Sequence, residues 1–420
     1  MKVCLLGGSN SVNKFGFRDG LCVNDDLKLA VGATGSLQNI HALHLHEKDI
    51  MSCDLIVSES NGNDTYNINA IKYPKQLIKD NIKELYYELY RTGKEVLILL
   101  TPMVRYSNGA ESYDLRNEIE DAHMEQINKY GFYYINLEET ITKKLDPKDP
   151  KTRFIMTDDR HPNVAFMHAL GVNIRNYFSN NFREYTYSEG SNFYVTSPRG
   201  DNSIIKKENS YFSRELIELK SEVSVNVNDG VVVGIETWPD EVAQIKIKHN
   251  NGNVVKSFNQ YLAFNEIIHP DLSRFTMESN LGEALLSTEP SINVRETGIV
   301  NKSVLYSSML IRKNVNFHRE ITPRRVPENL DFLIPDLKPF FASFLHFLNH
   351  NSNNSNNSNN NNNSNIVDYL RDEAIRLENK DMNLAYEFMK RARDLRPTGP
   401  VIKKKLAEFK KILSKQNKDI

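Results

Sequence analysis

Across residues 1–185 short apolar runs alternate with longer amphipathic ones, and that alternation leaves few folds open. The strand-like runs are Lys2–Leu6, Leu27–Val31, Asp54–Val57, Glu95–Leu100 and Phe132–Ile135. Helical spacing fills the gaps over Ser36–His46, Pro74–Thr92 and Glu111–Lys129, and a last helix is expected over Pro162–Phe178. Strands joined through helices run parallel, because each helix returns the chain to the same end of the sheet. The pattern predicts an α/β domain over 1–185, a flavodoxin-like three-layer α/β/α fold.

The pattern changes after residue 190. Short alternating runs at Asn192–Thr196, Glu222–Val227, Val231–Glu236, Val242–Lys248 and Val304–Arg312 predict a β-rich accessory domain over 190–320, with glycan binding as its candidate role. Asn228-Asp229-Gly230 and Asn251-Gly252 read as hairpin turns. A Pro-broken connector with a short helix is expected over 321–350. The Asn/Ser tract at 351–365 has too little apolar surface to offset chain entropy and reads as a disordered linker. A helical hairpin is expected over 366–420. Leu370, Ala374 and Leu377 share one face of its first helix, and Ala385, Phe388, Ala392 and Leu395 one face of the next. The run from Ala385 to Pro400 resembles one tetratricopeptide-like repeat. A single repeat cannot bury its own apolar face, so this one is expected to dock, with a protein partner as one candidate.

Composition excludes more than it assigns. The chain carries 53 Lys and Arg against 54 Asp and Glu, so no basic excess recommends nucleic acid as a partner. Three cysteines, Cys4, Cys22 and Cys53, lie in apolar runs and read as buried thiols, not as a disulfide framework or zinc site. No run is long and apolar enough to cross a membrane, and no leader pattern opens the chain, so a cytoplasmic location is expected. His41, His44 and His46 cluster without a carboxylate or cysteine pattern to complete a metal site. A solvated helix face is their expected role.

The chemistry gathers around the first strand. Met1 to Ser11 reads as an apolar strand running into Gly7-Gly8-Ser9, which places a serine at a carboxyl strand end, where open α/β sheets keep their sites. Gly32 follows the second strand, with Gly35 its rival in the same loop. Asn63 follows the third strand, and Asp158 and His161 precede the last helix. A serine hydroxyl needs an adjacent base, which His161 supplies, and Asp158 would fix the imidazole tautomer. The Ser9 and Gly32 N–H groups and the Asn63 amide would stabilise an oxyanion. Singly, each has a plainer reading: a tight turn at Gly7-Gly8-Ser9 or Gly32, a loop or cap residue at Asn63, a helix start at His161-Pro162-Asn163. Ser11 is a second candidate hydroxyl. Their joint order favours a site.

At these residues the sequence resembles the SGNH, or GDSL-type, hydrolases, whose four blocks carry Ser, Gly, Asn and Asp-x-x-His in this order. The resemblance covers residues 1–180. Gly8 stands where the family usually has Asp, and Asn61 where it usually has Gly. The resemblance implies ester hydrolysis or acyl transfer without a cofactor or metal, acetyl-CoA entering only as the donor of a transferase. It further implies a carbohydrate ester as substrate, an O-acetyl group on a surface glycan. Two alternatives stand beside the esterase: an O-acetyltransferase acting on a surface polysaccharide, and a non-catalytic assembly protein with a vestigial hydrolase domain.

Overall fold

The structure is a computed structural model. It describes the chain except residues 14–15, 104–109, 143–154, 157–159, 189, 210–211, 240–241, 259–261, 292–298, 301, 315–320, 337–366, 368–369, 373, 376, 379–381, 397 and 417–420. Asp158, the expected 351–365 linker and most of the short helix expected in the connector therefore lie outside the described residues.

Five of the expected strands form one sheet: β1 (Val3–Leu6), β2 (Leu27–Lys28), β3 (Leu55–Ser58), β4 (Glu95–Leu100) and β5 (Tyr133–Asn136). Their order is β2-β1-β3-β4-β5, and every pairing is parallel. Side chains along a strand point alternately to opposite faces, so a sheet covered on both sides needs continuous apolar strands. Both faces of this sheet are covered. Cys4, Leu6, Val96, Ile98 and Leu100 pack with α3 (Ser36–Leu45), α6 (Lys75–Arg91) and α7 (Ala110–Tyr130), whereas Val3, Leu5, Leu97 and Leu99 pack with α2 (Phe17–Leu21) and α8 (Val164–Phe178). Short helices α1 (Ser9–Val12), α4 (Glu47–Ile50) and α5 (Asn61–Tyr66) complete this part. All three cysteines are buried and free. Burial pushes the Cys4 thiol well above its ordinary range, Cys22 up to about 12 and Cys53 to about 11, so none is a ready nucleophile.

Twelve strands follow. They are β6 (Phe193–Thr196), β7 (Ile204–Glu208), β8 (Ser213–Glu218), β9 (Val223–Asn226), β10 (Gly230–Thr237), β11 (Ala243–His249), β12 (Gly252–Phe258), β13 (Phe264–Glu266), β14 (Arg274–Ser279), β15 (Gly282–Glu283), β16 (Ile299–Val300) and β17 (Leu305–Lys313). One sheet has the order β13-β10-β17-β8-β7, with β6 also on β17, and a second has β12-β11-β14-β9. Val232, Ile235, Met309 and Ile311 of the first share a core with Val225, Ile245, Ile247 and Met277 of the second. The Asn251-Gly252 turn closes the β11–β12 hairpin, and Gly252 has the positive φ, +139°, that such a turn asks of glycine. The other expected hairpin does not form. Asn228-Asp229-Gly230 instead carries the chain from β9 in one sheet to β10 in the other. The turn chemistry is there, but burying Val223 and Val225 across from β10 outweighs pairing the two strands.

Beyond the β-rich part the chain returns to the parallel sheet. Strand β18 (Glu328–Asn329), within the expected connector, pairs parallel with β5, and Leu330 and Leu333 enter the core beneath α8. Helices α9 (Met382–Leu395) and α10 (Pro400–Gln416) follow. Leu370, Ala374, Leu377, Ala385, Phe388 and Ala392 are buried in the same apolar cluster as Phe166 and Leu170 of α8. Within the described residues, the hairpin's apolar stripe thus rests on this chain's own helix. None of the described helices is long and apolar enough to cross a membrane.

Candidate active site at the carboxyl edge of the parallel sheet

Strand β1 is buried throughout and ends in Gly7-Gly8, which packing requires to be glycine. A Cβ on Gly7 would lie 2.6 Å from Ser11 Oγ and 2.9 Å from Glu59 Oε2, and one on Gly8 would fall on Asn63 Nδ2. Two side chains can therefore close over the turn that presents Ser9. Ser9 opens α1, half-buried, with its Oγ 2.7 Å from His161 Nε2. The alternative hydroxyl, Ser11, is fully buried and donates to Glu59 Oε2 at 3.1 Å, so its proton is already held by a carboxylate beneath the turn.

His161 owes its place to its neighbours. The Arg160 carbonyl accepts from Asn10 Nδ2 at 3.4 Å, which ties the segment to the residue after Ser9. Asn163 caps α8, its Oδ1 accepting from the Ala165 and Phe166 N–H groups at 2.8 and 3.3 Å. Such a cap is worth about 1 kcal/mol to the helix and here also anchors the loop that holds the imidazole. Asp158, expected to hold His161, lies outside the described residues.

Asn63 sits in α5 directly above Gly8. It is 9 % exposed, and its Nδ2 is buried without a hydrogen-bond partner. Leaving a buried donor unpaired costs about 1–3 kcal/mol, so such an atom calls for an explanation. The Gly32 loop arrives beside the same turn. Beyond β2 the Leu29 and Val31 N–H groups still bond to Leu5 O and Gly7 O, at 2.9 and 2.8 Å. Gly32 follows with open space where a Cβ would stand, then Ala33 at a φ of +60°. Gly35 differs: it starts α3 and is packed against Asp64 Oδ1.

Several residues that organise this edge were not singled out from the sequence. Glu59 is fully buried, and its Oε2 accepts from the Gly8 N–H at 2.9 Å as well as from Ser11. Burial pushes its carboxyl above the usual range, against the pull of the Gly8 N–H, the Ser11 hydroxyl and nearby His161. Asp64 accepts from Ser36 N at 2.8 Å, from Ser36 Oγ at 2.7 Å and from His123 Nε2, 3.1 Å away. His123 Nδ1 in turn meets Tyr86 OH at 3.0 Å. This chain binds the start of α3 to α5, and so Gly35 to the helix of Asn63. Asn61 forms a reciprocal pair with Thr101, Nδ2 to the carbonyl and N–H to Oδ1, both at 2.9 Å. That pair gives the Asn at this position a use, joining the ends of β3 and β4. Asn61 was marked by its departure from the family pattern; Glu59, Asp64, His123 and Tyr86 are single polar residues whose partners lie far along the chain, with no spacing to mark them.

The histidines of α3 are not on a solvated face. His41 is fully buried, its Nε2 2.8 Å from Ser308 Oγ and its ring 5.0 Å from that of Phe264. Burial lowers its pKa to about 4. His44 meets Glu88 Oε2 and Ser191 Oγ, both at 3.0 Å. The reason is tertiary: β13 and β6 lie over this side of α3, so Phe264 and Phe193 take the place of water. Among the described residues no group of three or more His, Cys, Asp or Glu is arranged to hold a metal.

No protein-family model matches the chain, and no curated protein matches it. Among solved structures, the chain is similar to Axe2, an acetylxylan esterase from Geobacillus stearothermophilus, at 12 % identity and a TM-score of 0.32, over 45 % of this chain and 97 % of that one. It is also similar to the acetyl xylan esterase AlAXEase at 15 % identity and 0.31, over 43 % and 100 %. A third is LAE5, an α/β hydrolase from the metagenome of Lake Arreo, Spain, at 12 % and 0.32, over 41 % and 91 %.

Proposed function

We propose that this protein is a serine esterase of the SGNH type, with a flavodoxin-like three-layer catalytic domain over 1–185, that removes O-acyl groups, acetyl above all, from a glycan. The observation that carries the reading is the 2.7 Å contact between His161 Nε2 and Ser9 Oγ beside the unpartnered Asn63 amide. A hydroxyl in hydrogen-bond reach of an imidazole has its base, and a buried donor with no partner suits an oxygen that becomes charged only during reaction.

The steps follow from those positions. Ser9 Oγ attacks the ester carbonyl carbon while its proton passes to His161 Nε2. The carbonyl oxygen, now negative, is held by Asn63 Nδ2 and by the Ser9 and Gly32 N–H groups. His161 returns the proton to the sugar oxygen as the carbon–oxygen bond breaks, leaving acyl-Ser9. Water then gives its proton to His161 as its oxygen attacks the acyl carbon, and the bond from that carbon to Ser9 Oγ breaks as His161 returns the proton to Oγ, releasing the acid. Asp158 is assigned to His161 Nδ1, fixing the tautomer. No metal or cofactor is needed by this scheme. A large substrate suits the β-rich part, where Trp238, under Lys207 at 5.8 Å, walls a cavity of about 190 Å³.

The test is acetate release from an aryl acetate by the intact chain and by Ser9→Ala. Turnover that disappears with Ser9 supports the reading. Equal turnover in both removes Ser9 as nucleophile. Acyl transfer from acetyl-CoA to a polysaccharide, without acetate release, makes the protein a transferase using the same acyl-enzyme. No turnover with either donor returns the assembly-protein alternative.

A further inference from the structure

The helix that carries Asn63 is only six residues long, and beyond Tyr66 it passes into a π-helical turn, Asn67–Ile71. So short a helix is not stable alone, and its rotation about its own axis must be set by what it packs against. That rotation matters to the site. A turn of about 10° carries an atom at the outer radius of a helix, about 5–6 Å from the axis, through about 1 Å. A misplacement of that size can lower a rate by about 10²-fold.

Asp64 is where the rotation is held. Neighbouring residues on a helix point about 100° apart, so fixing Asp64 fixes the direction of Asn63. Asp64 is fully buried and meets donors from two sides. Ser36, at the start of α3, gives it a backbone N–H at 2.8 Å and a hydroxyl at 2.7 Å. Both come from one residue, about which the carboxylate could still pivot. The third contact, His123 Nε2 at 3.1 Å, comes from α7 and removes that pivot.

His123 is itself anchored. It is 1 % exposed, and its Nδ1 lies 3.0 Å from the hydroxyl of Tyr86 on α6. The Tyr86 ring packs on Phe132 and Tyr130, with centroids 5.9 and 6.5 Å away. One proton order satisfies the whole chain. As a carboxylate Asp64 only accepts, so a neutral His123 carries its proton on Nε2 and accepts at Nδ1 from Tyr86. Burial pushes the Tyr86 phenol well above its ordinary range, which keeps that donor protonated.

We infer that His123, anchored by Tyr86, is a positioning residue for the oxyanion donor: through Asp64 it sets the rotation of α5 and so keeps Asn63 Nδ2 above Gly8. The inference rests on the esterase reading above and adds to it a residue that touches neither Ser9 nor the ester.

The experiment is a double-mutant cycle on aryl acetate turnover, with His123→Leu placed in the wild type and in Asn63→Ala. Ser9→Ala serves as the check on the esterase reading. In the wild type, His123→Leu should lower kcat by about 10- to 100-fold and change KM by no more than about twofold. In Asn63→Ala the same substitution should cost no more than about twofold, because the donor it positions is already gone. His123→Gln, whose amide nitrogen can stand where Nε2 stands, should recover most of kcat. Should His123→Leu fail to fold, Tyr86→Phe carries the same cycle, with an expected loss in the wild type of about 3- to 10-fold. A lowered melting temperature with kcat of the folded protein unchanged makes His123 merely structural and overturns the inference. So does an equal loss of kcat in both backgrounds. In either case Ser9-dependent turnover by the wild type leaves the esterase reading standing. Wild-type turnover that does not depend on Ser9 overturns both.

Discussion

Two of the histidine–serine pairs among the described residues invite comparison, being nearly equal in length. His161 Nε2 lies 2.7 Å from Ser9 Oγ at the sheet's carboxyl edge, and His41 Nε2 lies 2.8 Å from Ser308 Oγ between α3 and β17. By distance alone both are a nucleophile with its base. Their surroundings separate them. Ser9 and His161 are half-buried, beside a glycine turn and a buried amide with no partner. His41 and Ser308 are 0 and 1 % exposed, packed beside Phe264 and the Glu236–Arg214 ion pair, with no glycine turn or unpartnered amide next to the hydroxyl. A short contact makes a serine reactive only where an ester can approach and an oxyanion can be held. Elsewhere the same contact does no more than satisfy a polar group in a core.

The sharpest way to break the comparison is to remove each hydroxyl. Ser9→Ala should cut aryl acetate turnover by about 10⁴-fold or more. Ser308→Ala should leave turnover near wild type and instead lower stability by about 1–3 kcal/mol, read from denaturant unfolding, because His41 loses its partner. Comparable activity losses in the two variants would dissolve the distinction.

Asn63→Ala comes next. Loss of one oxyanion donor should lower kcat by about 10²- to 10³-fold. Since Nδ2 has no partner in the folded protein, its removal should not reduce the melting temperature. A large drop in melting temperature with kcat preserved would make Asn63 a structural residue.

Glu59→Ala leaves the buried Gly8 N–H and Ser11 hydroxyl without an acceptor. It should cost about 1–3 kcal/mol in stability and lower kcat more than it changes KM, since the turn under Ser9 loosens. Glu59→Gln keeps one acceptor oxygen and should recover most of both. A Gln variant as impaired as the Ala one would shift the role from acceptor to charge.

The last effect is one of pH and leaves turnover at neutral pH untouched. His41 titrates at about 4 when folded, against about 6.5 in an unfolded chain. Its folded pKa is depressed, so on acidification the unfolded state takes up the proton first. His41 therefore contributes a loss of stability as pH falls from about 6.5 toward 4, and none above that window. The difference in melting temperature between wild type and His41→Gln should change across that window and be flat above pH 7. A difference that does not vary between pH 4 and 7 would mean that His41 meets water.

Legibility followed the range over which each feature is encoded. Strand β4 spans Glu95–Leu100 in both the apolar run and the structure, because five consecutive apolar residues, Val96 to Leu100, need no outside information. The ends of α6 differ from the spacing by one residue each, Lys75–Arg91 against Pro74–Thr92, as helix ends commonly do. The Asn228-Asp229-Gly230 turn misled because turn residues specify a reversal and leave open which strand pairs afterwards. The α3 histidines misled because their polarity suggested water, whereas β13 and β6 cover them. At the candidate site, Ser9, Gly32, Asn63 and His161 stood out by their places at strand ends and before a helix. Glu59 and the Asp64–His123–Tyr86 chain did not, since each partner lies far along the chain from the group it holds.

What the sequence by itself determined is local: which stretches are strands and helices, and that a two-glycine turn ends the first strand. The period of side-chain burial and the conformational freedom of glycine are properties of neighbouring residues. The tertiary structure decided which faces are dry, which of the described histidine–serine pairs stands at the sheet's carboxyl edge, and which donor stands unpaired above Gly8. Those outcomes depend on how distant segments exclude water from one another, and Ser9 and His161, 152 positions apart, meet only once the sheet has brought their loops to one edge.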